Sequence, residues 1–171
     1  MEKKQILLIG LGTEARKVSQ ALAGTEIQVL EADTGIMGDT VGQIFTQEPV
    51  CAGETLSPAV IMFRGFDRDS LDPVLLAIRN AGLTHQPLKA MVTPTNWNWR
   101  LGDLYSELQQ EQQVMGALMK LKKLRDAMPM PDIMNIPAMK ARMQAEVLLK
   151  GGEDATVEAI EKAYRELEKF M

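Results

Sequence analysis

Residues 6–30, ILLIGLGTEARKVSQALAGTEIQVL, decide the fold class of this chain. The apolar run at 6–9 ends at Gly10 and is typical of a strand buried on both faces. Helical spacing of apolar residues follows over 13–23, and 27–30 begins the next apolar run. A strand, a helix and a strand in this space have the length of a βαβ unit, so we predict parallel pairing of the two strands.

Two further strands with a helix between them extend this pattern. Residues 59–63 and 88–92 are apolar runs, and Asp69 and Pro73 between them are typical of a helix start, with Gly82 at the helix end. We therefore predict an α/β fold with a small, four-stranded, mostly parallel sheet of order 2-1-3-4, half of a Rossmann or flavodoxin-like arrangement. We identify no internal repeat along the sequence.

The second half of the chain is predicted to be helical. Leu and Met recur at three- and four-residue spacing over 101–128 without a proline, which predicts one long helix with a possible bend at Gly116. Such a helix runs to roughly 40 Å, longer than a small globule is wide, so its far end needs a cover. Beyond a proline-rich linker, residues 138–150 and 154–170 are predicted to form a helical hairpin that supplies this cover.

Composition excludes several classes of protein. The 171 residues carry a formal net charge of -4, with both signs present in both halves, which is not typical of a nucleic-acid surface. One cysteine, Cys51, permits no internal disulfide, and one histidine, His85, cannot anchor a His/Cys metal cluster. No stretch approaches the ~18 apolar residues of a membrane span. We expect a cytoplasmic protein without a cofactor, divided into an α/β domain (1–115) and a helical appendage (116–171).

The sequence Gly10-Leu11-Gly12-Thr13-Glu14-Ala15 fits the G-x-G-x-x-[GA] fingerprint of dinucleotide-binding turns. Glu31 lies 19 residues past Gly12, where the acid that binds a ribose would stand. Glycines serve any tight turn between a strand and a helix as well, and the sequence shows no substrate domain beside this half-unit. A plain structural turn is therefore the alternative to a cofactor site.

A second candidate site lies where the predicted strands end. Ligands of parallel α/β sheets bind beyond the carboxyl ends of the strands. Arg64 and the amide of Thr13 would suit an anion there. The alternative is that Arg64 pairs with Asp67 or Glu31. The candidate residues of this edge are Gly10, Gly12, Thr13, Glu31 and Arg64.

Both tryptophans lie in residues 93–99, TPTNWNW, directly before the long helix. Pro94 ends the fourth strand, Thr95 or Asn96 can satisfy free amides of the turn, and Trp99 can fix the helix on the sheet. A fourth strand followed by Thr93, Pro94, Asn96 and Trp99 resembles the signature of a small bacterial family recorded only as a domain of unknown function. The resemblance extends over 1–115, most specifically over 59–111, and implies a compact α/β domain without an established activity.

The function that these observations favour is non-enzymatic binding or assembly. We recognise no catalytic constellation, and the apolar far end of the long helix favours association, so we expect a homodimer through residues 115–171. The alternative is a small nucleotide- or anion-binding domain, in which Gly10, Gly12 and Arg64 hold a small anionic ligand. Neither hypothesis involves a nucleic acid or a membrane.

Overall fold

The computed structural model describes residues 2–47, 49, 53–151 and 155–171. These residues form two compact units, Met1–Leu108 and Gln109–Met171. Cys51 lies outside the described residues. In chain order the elements are β1 (Gln5–Leu11), α1 (Ala15–Ala21), β2 (Gln28–Ala32), α2 (Val41–Gln47), β3 (Thr55–Arg64), α3 (Arg68–Asn80), β4 (Leu88–Met91), α4 (Leu101–Ala127), α5 (Ile136–Leu149) and α6 (Val157–Glu168).

The sheet of the first unit has the predicted strand order, β2-β1-β3-β4. β1 pairs in parallel with β2, and β3 with β4, whereas the central pair of β1 and β3 is antiparallel. Two of the three pairings are parallel, as expected, but the antiparallel centre makes the sheet mixed rather than one half of a parallel Rossmann-like sheet. A short helical crossover predicts parallel pairing inside each βαβ unit, but it does not determine how two such units pair with each other.

Helices cover both faces of the sheet. All seven residues of β1 are buried, as expected for a strand between two helical layers. α1 and α3 pack on one face, and α2 and the start of α4 pack on the other. Asp67 directly precedes α3, and its side chain accepts from the Ser70 N–H at 2.8 Å. Asp67, and not the predicted Asp69, therefore caps this helix.

The first unit consists of two similar halves related by an approximate two-fold axis between β1 and β3. The first half is β1-α1-β2-α2, and the second half is β3-α3-β4 with the start of α4. Within each half the outer strand is parallel to the central one. The starts of α2 and α4 meet in an antiparallel bridge between Thr40 and Arg100.

Hydrogen bonds across the axis repeat with the same spacing. The Val41 N–H donates to the Trp99 carbonyl at 3.0 Å, and the Leu101 N–H, 60 residues later, donates to the Asp39 carbonyl at 2.9 Å. Residues 41–45 (VGQIF) and 101–105 (LGDLY) share one pattern of apolar, glycine, polar, apolar and aromatic residues. The two halves are therefore a structural repeat, although these two segments share only the glycine in sequence.

Gly42 and Gly102 let the two halves approach each other. The Gly42 N–H donates to the Trp97 carbonyl and the Gly102 N–H to the Met37 carbonyl, both at 2.9 Å. A Cβ atom at Gly42 would lie 2.5 Å from the indole ring of Trp97, and one at Gly102 would lie 3.2 Å from the Met37 carbonyl oxygen. A side chain at the second residue of either helix would therefore push the opposite loop away.

The second unit has a hydrophobic core of its own. α4 is one continuous helix of 27 residues, as the sequence predicts, and α5 and α6 follow it. Leu121 and Met128, at the far end of α4, are buried with Ile160 and Leu167 and with the alanines of α5. The apolar far end of the long helix is therefore covered by helices of the same chain.

Candidate functional site

The antiparallel centre of the sheet separates the predicted site residues. Gly10, Gly12 and Thr13 lie at the carboxyl end of β1 and directly after it. Arg64, the last residue of β3, lies at the opposite end of β1, where it pairs with Gln5. Gln5 and Gly10 are five residue steps apart along the strand, a distance of about 17 Å. The structure therefore does not bring Arg64 together with the glycines, and one small ligand cannot contact both.

The two glycines of the G-x-G motif lie against the start of β3. Gly10 has a φ of +71° at a bulge between Ile9 and Leu11, and a Cβ atom there would lie 2.1 Å from the Cβ of Leu56. At Gly12, with a φ of +55°, the added atom would lie 2.6 Å from Thr55 Cγ2. Close approach of β3 accounts for both glycines, which favours the structural alternative for this motif.

Glu14 and Glu31, the acidic side chains near this motif, differ in surroundings. Glu31 lies in β2 opposite Leu8 and is partly buried. The Glu14 carboxylate accepts from the Thr84 hydroxyl at 2.6 Å and from the Thr84 N–H at 2.9 Å. These hydrogen bonds, assisted by Lys17, hold the pKa of Glu14 below its ordinary value. Glu14 thus joins the turn after β1 to the loop after α3.

Thr84→Val is expected to raise the pKa of Glu14 towards its ordinary value, because the hydroxyl donor is lost. A carboxyl group with a lowered pKa stabilises the fold above its unfolded-state pKa and loses that contribution as the pH falls through the folded one. The variant should therefore lose less stability on acidification than the wild type. A carbon-detected NMR titration of Glu14, with Thr95→Val as the control, measures the shift; an unchanged Glu14 midpoint would contradict this account.

The end of β3 holds Arg64 between aromatic rings. Its Nη1 donates to Gln5 Oε1 at 2.9 Å, and its Cζ lies 4.6 Å from the ring centroid of Trp97 and 5.9 Å from that of Phe45. Gln5 is itself held by Gln28, to which its Nε2 donates at 2.9 Å. The expected pairing of Arg64 with Asp67 or Glu31 is absent from the contacts of the described residues.

One nitrogen of Arg64 has no hydrogen bond. Nε is buried and finds no acceptor among the described residues, and a carboxylate oxygen of Glu2 stands 3.6 Å away, beyond hydrogen-bonding distance. The Glu2 side chain is 66% exposed. Arg64 therefore retains donor capacity that a further acceptor could use.

A cavity of about 250 Å³ opens beside Arg64. Its walls come from the carboxyl ends of the two parallel strands β3 and β4 and from the chain before β1, namely Glu2, Arg64, Gly65, Val92, Thr93, Pro94 and Trp97. The ends of two neighbouring parallel strands are where α/β sheets bind ligands. This part of the predicted strand-end site is thus assembled, without the glycines of β1.

Thr93 and Asn96 fix the shape of the loop that walls this cavity. Asn96 Oδ1 accepts from the Thr93 N–H at 2.8 Å, Thr93 Oγ1 accepts from the Asn96 N–H at 3.2 Å, and Asn96 Nδ2 donates to the Met91 carbonyl at 2.9 Å. The predicted role of Asn96 in satisfying turn amides is confirmed. Trp97, and not the predicted Trp99, is the tryptophan whose ring packs against the sheet, since Trp99 is 40% exposed.

The second unit exposes an unusual amount of apolar surface. Of the eleven large apolar side chains exposed among the described residues, nine lie in this unit: Met115, Met119, Met130, Ile133, Met134, Ile136, Met143, Val147 and Met171. A groove between α5 and α6 is lined by apolar side chains, with the exposed Lys140 and Lys162 beside them. Exposed apolar area of this kind is typical of an interaction surface.

Two features are absent from the described residues, a metal-binding cluster and a helix that could span a membrane. No three His, Cys, Asp or Glu side chains there are grouped so that they could hold a metal ion. None of the helices that these residues form has both the length and the apolar character needed to cross a bilayer.

Residues 59–115 match a family described as a domain of unknown function (DUF3783). The similarity covers about a third of the chain and runs from the middle of β3 into α4, so it corresponds to the second half of the first unit. Arg64, Thr93 and Trp97 lie inside it. No curated protein and no solved structure matches the chain at a significant level. The resemblance to an uncharacterised family is confirmed at this level.

Proposed function

We propose that this chain is a non-enzymatic binding protein that associates with a second copy of itself through its helical unit. The observation that carries the proposal is the composition of α5. This helix buries Ala138, Ala141 and Ala145 on one side and exposes Met143 and Val147 on the other. A helix that is apolar on both sides is typical of one that is covered on both sides. Among the described residues, the alanine side is packed in the core of the second unit, whereas Met143 and Val147 are exposed.

The connection between α4 and α5 presents apolar side chains to water. Met130, Ile133 and Met134 are 77%, 80% and 82% exposed. This connection is ordered, because Asp132 Oδ1 accepts from the Met134 N–H at 3.1 Å and Asn135 caps α5. We call residues 130–134 the apolar turn. Its exposed side chains are held in place rather than free to fold inward, so a partner surface has to bury them.

The apolar turn and the groove between α5 and α6 complement each other. The groove is lined by apolar side chains that include Val147 and Ala163, with Lys140 and Lys162 beside them. The turn carries three exposed apolar side chains and, within the same five residues of sequence, the carboxylate of Asp132. One chain carries both surfaces, so a second copy supplies what each lacks. In a two-fold dimer, each turn would enter the groove of the other chain.

Met143→Glu is expected to dissociate the dimer. A carboxylate at this position would be desolvated in the interface and would compete with Asp132 of the second copy for Lys140 and Lys162. This should raise the dimer dissociation constant at least about tenfold. Sedimentation equilibrium at micromolar concentration measures this change. Leu76→Glu is the matched control, since Leu76 is a comparably exposed apolar residue on α3 in the first unit and its replacement should leave the dissociation constant unchanged.

Charge reversal distinguishes this pairing from a less specific apolar contact. Asp132→Lys alone, and Lys140→Glu with Lys162→Glu, should each weaken self-association. Mixing the two variants should restore dimers that contain one chain of each kind. A wild-type chain that is monomeric at these concentrations, or a mixture that does not recover, would contradict the proposal.

A further inference from the structure

We infer that the cavity beside Arg64 binds a carboxylate carried on a small apolar body. This inference concerns the first unit and is independent of the self-association proposed for the second. It rests on three observations: the unused donor of Arg64, the counterpart of Arg64 in the other half of the unit, and the walls of the cavity.

The buried Nε of Arg64 is the first observation. Nε has an ion-pair contact but no hydrogen bond, and a buried donor without a hydrogen bond lowers the stability of a fold. Carboxylates are the acceptors that match the guanidinium fork. Glu2 brings a carboxylate oxygen to within 3.6 Å of Nε without completing a hydrogen bond. A ligand carboxylate that came closer would satisfy the donor.

The two-fold axis supplies an internal comparison. Gln5 pairs with Arg64 at one end of the central strands, and Val60 pairs with Ile9 at the other end. The two-fold axis relates Gln5 to Val60 and Ile9 to Arg64, and in each case the two residues lie 55 positions apart in the sequence. Val60 and Ile9 are fully buried. The fold therefore accepts apolar side chains at the corresponding position, so the strand pairing by itself does not require an arginine.

The position that Trp97 occupies also differs between the two halves. Trp97 corresponds to Met37, as their hydrogen bonds to Gly42 and Gly102 show. An indole face 4.6 Å from the guanidinium attracts the cation and limits its rotamers. The end of the unit that carries the arginine thus also carries the side chain that positions it.

The walls of the cavity indicate the class of ligand. Val92, Pro94 and Trp97 are apolar, and a volume of about 250 Å³ suits a molecule smaller than a nucleotide. Arg64 is the single cation among the lining residues, and the Glu2 carboxylate lies beside it. One positive charge next to one negative charge disfavours a phosphate dianion and suits a monoanion. A carboxylate is held by the arginine while its apolar body contacts the ring and the proline.

The test uses NMR of the full chain in the Trp99→Phe background, so that Trp97 is the single indole reporter. Phenylacetate represents a free small acid, and a short peptide ending in leucine represents the carboxyl end of a protein chain. We expect saturable shifts of the Trp97 indole N–H and of the Arg64 Nε–H with at least one of the two, and the tighter one identifies the source. Phenylacetamide and the amidated peptide, which lack the charge, should bind at least about tenfold more weakly.

Arg64→Ile is the decisive variant, because Ile9 shows that isoleucine is accommodated at the equivalent position. We expect it to fold and to lose the carboxylate-dependent shifts. Arg64→Lys, which keeps the charge without the fork, should bind more weakly than the wild type. Glu2→Gln should tighten binding by about two- to fivefold, since it removes an exposed competing carboxylate.

Several results would overturn the inference: no saturable shift with either acid, equal binding of acids and amides, tighter binding of inorganic phosphate than of phenylacetate, or unchanged binding in a folded Arg64→Ile. The Met143→Glu variant separates the two proposals. It should bind phenylacetate as the wild type does whether or not the chain self-associates, so failure of one proposal leaves the other standing.

Discussion

Gly10→Ala is expected to lower the free energy of unfolding of the first unit by about 3 kcal/mol. A positive φ at a residue with a Cβ atom costs about 1–2 kcal/mol. The new methyl group would also lie 2.1 Å from the Cβ of Leu56 on β3, and relieving such overpacking typically costs about 1–3 kcal/mol more. Urea denaturation followed by circular dichroism measures the sum.

Gly24→Ala separates the two contributions. Gly24 has a φ of +80°, similar to that of Gly10, but no atom lies within 4 Å of the position that its Cβ would take. Its replacement should cost only about 1 kcal/mol, from backbone strain alone. If the two variants lost the same free energy of unfolding, β3 would be able to move away from the methyl group at little cost. The packing explanation for the G-x-G motif would then be wrong.

Gly42→Ala is expected to destabilise the first unit by about 2 kcal/mol, although alanine is the better helix former by about 1 kcal/mol. The reason is the indole of Trp97, which lies 2.5 Å from the position of the added Cβ. Gly116→Ala is the matched control in α4, because no atom lies within 4 Å of its added methyl group. It should be neutral or stabilising by up to about 1 kcal/mol.

The substitution Trp97→Met tests whether the two halves are equivalent, since Met37 occupies the same position in the first half. In the Trp97→Met background, Gly42→Ala should cost little, which corresponds to a coupling of about 2 kcal/mol between the two sites. A double-mutant cycle from thermal or urea unfolding gives this coupling. Additive effects of the two substitutions would contradict the close contact.

The strands, their order and the long helix could be predicted from the sequence because each depends on local patterns. The run at 6–9 is buried on both faces, as its composition requires, and α4 follows the spacing of its leucines and methionines. The antiparallel centre could not be predicted, because nothing local to β1 or β3 determines how two βαβ units pair.

The repeat escaped the sequence interpretation for a related reason. Residues 41–45 and 101–105 share one identical residue, the glycine, and similar rather than identical neighbours. Their equivalence is evident only from the structure, in which the N–H of each glycine donates to a carbonyl of the loop in the opposite half. A search for helix starts with glycine at the second position, followed by an apolar and an aromatic residue, could have found it.

The candidate site was predicted in part. The place of Arg64 at a strand end and the composition of the loop that begins at Thr93 predict these two parts of the site. Gln5 could not be foreseen as a partner of Arg64, because it stands 59 residues away and faces Arg64 only in the antiparallel register. Trp97 combines two contacts that the sequence does not show: its ring lies 4.6 Å from the Arg64 guanidinium, and its carbonyl accepts from the Gly42 N–H.

Joining both halves in one polypeptide has a consequence for how the protein can change. If the two halves were separate, identical chains in a homodimer, every substitution would appear at both ends of the central strands. A charged end and an apolar end could then not occur in the same molecule. Covalent fusion removes that constraint. It permits asymmetry, with Arg64 at one end and Ile9 at the other, and it sets the stoichiometry of any ligand at one per chain.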